Sequence, residues 1–260
     1  MVTPLKIMWK TTTYGRVSTL EETLFSFINQ DDLDNVEMII VNDYPLQTLI
    51  FEHPKVKIFN IKEPFKTIGE KDNFAIEQSD AEIISTNDDD DYYLPNHNSN
   101  IRKYFVPGTD ILHWKGIFYN EPEISGIVGI GNSGMVYSRN IWEKIGKHPI
   151  MNAGGDTEFS GRIHRGGYKV VNADPLDNEV SAYYMWGRNG KDGNGVYHQS
   201  GKGHDVEGEP SIIERHSNFI ESLRRKGKIP TGDIVLNPHQ QYDYKQKLID
   251  YINKKNENIS

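Results

Sequence analysis

Cysteine is absent from the sequence, which excludes disulfides, thiolate metal sites and a cysteine nucleophile. Long apolar runs are missing too. No stretch approaches the ~18 consecutive apolar residues of a membrane span, and residues 1–10 are too few and too polar for a secretory signal. Positive charge is in short supply: 29 Lys and Arg against 37 Asp and Glu leave a formal net charge of −8. That balance opposes non-specific attraction to a polyanion, though a local basic groove remains compatible with it. No internal repeat and no low-complexity linker calls for a second domain. The expectation is a soluble, cytoplasmic protein. Its 260 residues suit one α/β domain large enough to bury a core without staples.

What is present is an alternation of short apolar runs and amphipathic segments. Residues 5–9 read as a buried strand, followed by a polar loop over residues 11–15. Ser18 and Glu21 have the spacing of a capping box, and Leu20, Leu24, Phe27 and Ile28 then share one helical face. Residues 36–41 (VEMIIV), 56–59 and 81–86 (AEIIST) read as further strands, with a helix over 70–78. Strands and helices in this rhythm predict a mostly parallel mixed sheet flanked by helices. In such sheets ligands bind outside the carboxyl ends of the strands. Three polar segments fall at those ends: 11–14, 42–43 and 88–91.

The second half is less regular. Strands are expected over 110–119, 124–130, 134–138 and 168–171, with helices over 140–145 and 157–164. From Gly187 to Gly208 the chain holds seven glycines with two histidines, a composition suited to a mobile lid. Residues 211–260 read as a helical C-terminal extension packed on the domain formed by 1–210.

Asp88, Asp89, Asp90 and Asp91 are consecutive. A solvated turn is the ordinary reading of a charge run. Here the run follows directly on the strand 81–85, and Tyr92 to Pro95 are read as opening the next helix. Carboxylates crowded at a rigid strand end call for a cation. Their hard oxygens suit Mg²⁺ or Mn²⁺, which usually completes its shell with substrate phosphates.

The order of these segments resembles family 2 glycosyltransferases of the GT-A (Rossmann-like) fold. Residues 10–30 (KTTTYGRVSTLEETLFSFINQ) look like that family's opening strand, loop and helix, and 37–44 (EMIIVNDY) like its second strand. Residues 84–95 (ISTNDDDDYYLP) match its Asp-x-Asp-Asp block, 129–138 its acceptor-side strand, and 154–170 (GGDTEFSGRIHRGGYKV) its helix bearing a catalytic Asp. The resemblance implies a metal-dependent enzyme that moves a sugar from a nucleotide-sugar donor, UDP-linked by preference, to a carbohydrate hydroxyl. It implies Thr12 against the nucleoside, Asp43 on the uracil ring nitrogen and Lys71 near the phosphates. Asp88 and Asp90 fall on the metal motif with Mn²⁺ or Mg²⁺, and Asp89 and Asp91 support them. Asp156 falls on the general base of inverting members, with Glu158 close by as the other candidate. A late histidine on the metal, as in several GT-A enzymes, points to His198.

The pattern also departs from the family. Asn42-Asp43-Tyr44-Pro45 stands for the usual Asp-Asp-Gly-Ser, Lys71-Asp72-Asn73 for a segment with an Arg-Asn pair, and Gly155-Asp156 for Glu-Asp. The Gln-x-x-Arg-Trp motif of processive synthases is absent, which favours a single-transfer enzyme.

Several residues have ordinary readings beside these. Asp156 suits a helix N-cap. His198 and His204 suit a solvated loop, as do Arg188, Lys191 and Lys202, which otherwise would neutralise phosphates on closure. His113, Trp114 and Trp186 suit either core packing or stacking on a sugar. Asn132, Ser133 and Gly134 suit a tight turn or an acceptor contact. Two other functions fit less well: a phage-type DNA-base glycosyltransferase with a nucleic-acid acceptor, against which the negative charge counts, and a non-catalytic nucleotide-sugar or glycan binder.

Overall fold

A computed structural model of the chain describes residues 5–120, 122–129, 134–152, 154–173, 175–185 and 212–258. The first strand, β1 (Ile7–Thr13), is followed by helix α1 (Val17–Ile28), β2 (Val36–Asn42), β3 (Gln47–Ile50), β4 (Val56–Asn60), α2 (Ile68–Glu77) and β5 (Ile83–Thr86). Then come β6 (Tyr92–Tyr93), α3 (His97–Tyr104), β7 (Ile111–Asn120), β8 (Glu123–Gly129), β9 (Val136–Ser138), α4 (Arg139–Lys144), α5 (Gly155–Arg165), β10 (Val170–Ala173) and β11 (Ala182–Tyr184). The last elements are α6 (Ile212–Arg225), β12 (Gly232–Val235) and α7 (Tyr244–Glu257).

The main sheet runs β4-β2-β1-β5-β9-β7-β11-β6, with β8 and β10 also paired to β7. Strands β4, β2, β1 and β5 are mutually parallel, and β9 is antiparallel to both β5 and β7. The apolar runs that predicted buried strands alternate between two packed faces, as a doubly covered sheet requires. Ile7, Trp9, Met38 and Ile40 meet Leu20, Leu24 and Phe27 of α1 and Ile101 of α3. Met8, Ile39 and Val41 meet Ala75 and Ile76 of α2, Ile141 and Trp142 of α4, and Phe159 and Ile163 of α5. Full burial of each such side chain contributes roughly 1.5–3 kcal/mol, so these two clusters dominate the stability of the sheet.

The structure differs from these expectations in three places. Residues 11–13, expected as loop, continue β1 in register with Ile40, Val41 and Asn42. Threonine is β-branched and at home on a ladder despite its polarity. The Ser18/Glu21 capping box does not form: Arg16 is the N-cap with no side-chain cap bond, and a Glu21 oxygen instead accepts the Asn237 amide at 2.8 Å. The capping box forms at α2, between Thr67 and Glu70. Finally, Tyr92 and Tyr93 do not open a helix; they pair with β11, and helix α3 begins at His97.

The C-terminal segment is bound to the same body. Strand β12 pairs in parallel with β3, and Gln47 Nε2 donates to the Pro230 carbonyl at 2.7 Å. Helix α6 places Ile220 and Leu223 against Tyr44. Helix α7 places Tyr244 and Leu248 among Tyr92, Tyr119 and Tyr183, where Tyr244 also donates to Glu22 Oε2 at 2.8 Å. No described helix is long and apolar enough to cross a membrane.

Two core histidines give the fold a pH dependence. Burial pushes His97 down to about 3 and His148 down to about 4 from an ordinary 6.5. Both are neutral when folded, whereas the unfolded chain takes up their protons below about 6.5. Stability from this source is therefore complete above pH 6.5 and is lost as pH falls toward the folded values, by up to about 2.7 kcal/mol per pH unit for two protons. Thermal unfolding measured from pH 7 to 5 should show a falling midpoint. His148→Gln, whose amide can still hydrogen-bond the Tyr137 hydroxyl, should make that fall shallower by about one proton.

Candidate active site

Strands β1, β2 and β5 end at one edge of the sheet, and each delivers charge there. After β5 the chain turns, with the Asp91 amide donating to the Asp88 carbonyl at 3.3 Å. The turn is pinned from three sides. The Tyr93 hydroxyl accepts from the Asp88 amide at 3.2 Å. The Thr23 hydroxyl of α1 donates to the Asp91 carbonyl at 2.8 Å. Asp91 Oδ1 accepts the Met185 amide at 2.9 Å. This is not a solvated acidic turn. Asp89, Asp90 and Asp91 are 0%, 3% and 4% exposed, while Asp88 is half-buried.

Such burial is tolerable because of Arg16, which the sequence reading did not single out. It sits between β1 and α1, next to Gly15, whose φ of 73° takes a left-handed turn. Its guanidinium grips Asp89 through two nitrogens, one of them Nε at 3.0 Å from Oδ2, and Nη1 reaches Asp90 Oδ2 at 2.9 Å. Burial works against the Arg16 charge, but Asp89, Asp90 and Asp88 outweigh it and raise its pKa. Burial likewise pushes the Asp89 carboxyl up, with Arg16 pulling it back. A lone arginine directly after the β1 turn was the available signal, since any charge there faces the end of the neighbouring strand.

Asp43 and Lys71, read separately from the sequence, are partners. Lys71 Nζ lies 2.5 Å from Asp43 Oδ1 and donates to the Thr13 carbonyl at 2.6 Å, and Asp43 Oδ2 accepts the Phe65 amide at 3.1 Å. Lys71 thus ties the end of β1 to the segment after β2. Lys10 ties β1 to helix α2, 2.7 Å from Asp72. Thr12 lies between these pairs in β1, opposite Val41 and half-buried. Beside Asp43, the Tyr44 ring packs edge-on to Tyr14 with centroids 5.0 Å apart.

Asp156 stands in the exposed first turn of α5. It is not the N-cap: Gly154, at φ 65°, holds that position, and no side chain caps the helix. Glu158 is engaged by Arg162 at 2.6 Å and Arg165 at 3.3 Å. The approach to α5 is fastened to the start of α2. Asn73 Oδ1 accepts from the Trp142 indole and the His148 amide, and its Nδ2 donates to the His148 carbonyl. The Ile68 amide donates to Asn152 Oδ1 at 3.1 Å, and the Gly69 amide lies 3.4 Å from the Met151 carbonyl. Helix α2 enters from the same sheet edge that carries Lys71, so the segment leading to Asp156 is held at that edge.

Trp114 is a core residue rather than a sugar platform, buried with its ring 4.5 Å from that of His97. His113 is half-buried with its ring 5.7 Å from His164. Gly134 has φ 66°, as a tight turn requires. Asn132, Ser133, Trp186, Arg188, Lys191, His198, Lys202 and His204 lie outside the described residues.

Among the described residues no group of three or more His, Asp or Glu is gathered to hold a metal ion. The turn does offer the two carboxylates Asp88 and Asp90. All-oxygen donors suit Mg²⁺ or Mn²⁺, which commonly take one or two carboxylates and complete their shell with waters and substrate phosphates. The residues present therefore fit a hard divalent ion, at a carboxylate that Asp90 shares with Arg16.

A sheet of this order, with its charged edge and its covering helices, defines a GT-A fold. The pattern of glycosyl transferase family 2 matches residues 11–147, and the chain belongs to that family. No curated protein matches it. Among solved structures it is similar to the mannosyltransferase PcManGT from Pyrobaculum calidifontis in complex with GDP-Man and Mn²⁺, at 15% identity and TM-score 0.56, covering 86% of this chain and 71% of that one. It is also similar to S. aureus TarS 1–349, at 15% identity and TM-score 0.54, covering 71% of this chain and 62% of TarS 1–349. The same TarS fragment in complex with UDP-GlcNAc matches at 15% identity and TM-score 0.53, over 96% of this chain and 72% of that one.

Gly69 tests how tightly the Asp156 segment is seated. A Cβ there would lie 1.8 Å from the Pro149 carbonyl oxygen, a backbone atom that cannot swing aside. Gly69→Ala should cost about 1–3 kcal/mol through overpacking, read as a lowered unfolding midpoint. An unchanged midpoint would show that residues 149–152 are not clamped to α2.

Proposed function

We propose that the protein transfers a sugar from a nucleoside diphosphate sugar, UDP-linked by preference, to an acceptor hydroxyl with inversion. The observation that carries this reading is the convergence of Asp43, the Asp88–Asp90 turn and the Asp156 segment on one sheet edge in a chain of glycosyl transferase family 2. Two structural neighbours were solved with a nucleotide-sugar, one of them also with Mn²⁺. The donor is UDP-linked in one of these neighbours and GDP-linked in the other.

A carboxylate offers about four acceptor sites, so Asp43 can take the uracil N–H while keeping Lys71 and Phe65. Thr12 lines the nucleoside side of the edge. Asp88 and Asp90 would hold Mn²⁺ or Mg²⁺, which when bound would neutralise charge on the diphosphate leaving group. Lys71 acts chiefly through Asp43, fixing its carboxylate, and Asp89 acts through Arg16. Asp156 takes the proton of the acceptor hydroxyl as that oxygen attacks the anomeric carbon. Its exposed place in the first turn of α5 leaves it open to an acceptor, whereas Glu158 is held by two arginines. A contribution of His198 to the metal belongs to the same reading, as does a carbohydrate acceptor.

The test is a titration with UDP- and GDP-sugars, with and without Mn²⁺, followed by thermal shift and by transfer assay. Stabilisation by one donor that needs Mn²⁺ is expected, and Asp90→Ala should remove it. Asp156→Asn should keep that stabilisation and lose transfer by about 100-fold or more. Undiminished transfer by Asp156→Asn would eliminate Asp156 as the base.

A further inference from the structure

Arg16 does more than pack. Its single positive charge is shared between two carboxylates of one turn, fully buried Asp89 and Asp90, with a third, Asp88, near enough to reinforce the charge. Arg16 Nη1 lies 2.9 Å from Asp90 Oδ2, an oxygen of the carboxylate proposed for the divalent ion. We infer that Arg16 is a resident counter-cation that competes with the divalent metal at Asp90. It holds the affinity for metal alone low, so that tight metal binding requires the diphosphate of the donor. The inference rests on the metal role proposed above for Asp88 and Asp90.

The charges explain why. Asp88, Asp89 and Asp90 carry three negative charges when ionised, and Arg16 cancels one. A divalent ion entering alone meets both a reduced negative charge and a fixed cation at its own ligand. Added diphosphate restores negative charge on the far side of the ion and offers the guanidinium an anionic partner besides Asp90, bidentate in the manner arginine favours. Asp89 keeps Arg16 in place through its two contacts, so its role is to divide the arginine charge between Asp89 and Asp90.

Two substitutions that break the same ion pair should act in opposite directions. In Arg16→Gln the counter-cation is gone, and Mn²⁺ alone should bind about tenfold tighter than to the wild type. In Asp89→Asn the whole arginine charge falls on Asp90 and one negative charge is lost, and Mn²⁺ alone should bind about tenfold weaker. Electron paramagnetic resonance of free Mn²⁺, titrated against nucleotide-free full-length protein of checked thermal stability, reads both. A merely structural pair predicts weaker binding in both variants, and that result, or an unmoved Arg16→Gln, overturns the inference. Should Arg16→Gln fail to fold, Arg16→Lys decides. It keeps the charge but loses the fork, so Mn²⁺ should tighten a few-fold, and an equal or weaker affinity overturns the inference. Failure of the underlying metal reading looks different: no protein takes up Mn²⁺ even with UDP or GDP present. Uptake that Asp90→Ala abolishes while Arg16→Gln stays unmoved overturns the counter-cation role alone.

Discussion

The buried ion pair between Arg16 and Asp89 is the constraint around which the charged edge of the sheet is arranged. It bridges the turn after β1 to the turn after β5, two segments 73 residues apart in the chain. Removing one partner of such a pair strands a charge in a low-dielectric site at a cost of roughly 3–5 kcal/mol. That is a large part of the ~5–15 kcal/mol by which domains are stable. Asp90 and Asp91 can be buried because Arg16 offsets part of the turn's charge and hydrogen bonds hold the turn in place. The pairs Lys71–Asp43 and Lys10–Asp72 repeat the device one strand over. A dense set of charges is thereby held rigid at the place where a charged donor is proposed to dock, with little reorganisation left to do.

The same edge is bordered by segments far away in sequence. Helix α6 sits on Tyr44 and crowds Gly15, where a Cβ would meet Ile220 Cγ2 at 2.9 Å. Strand β12 extends β3, and α7 closes over a tyrosine cluster that includes Tyr92, next to the acidic turn. The C-terminal elements therefore support both the nucleoside side and the metal side of the proposed site. The approach to Asp156 is held by a third device, the amide of Asn73 and the close backbone contact at Gly69.

Much of the architecture was legible because it follows from local chemistry. Runs such as residues 36–41 read as doubly buried strands, and the structure packs alternate residues on two faces. The polar segments that follow β1, β2 and β5 mark one edge of the sheet in the sequence alone. Short strands were not legible. Residues 47–50 and 232–235 carry little periodicity, and they are strands only because each is the other's partner. Tyr92 and Tyr93 likewise take strand geometry from β11. The Ser18 capping box failed because the helix starts one residue after Arg16, whose place is set by Asp89 rather than by local preference.

The sequence by itself determined which residue types gather at the edge: Asp43, Lys71, the run Asp88 to Asp91, and Asp156 in a helix start. Strand order suffices for Asp43 and the run Asp88 to Asp91, which directly follow apolar strands; Lys71 and Asp156 were reached only through the resemblance to the family. Only the tertiary structure decided the pairings. It joined Lys71 to Asp43, assigned Asp89 to Arg16 and Asp91 to the Met185 amide, tied up Glu158 with arginines, and left Asp156 exposed. The physical reason is that an ion pair or hydrogen bond depends on separation in space to within an ångström or so. Residues 28, 73 or 94 positions apart acquire that separation only when the sheet has brought the strand ends together.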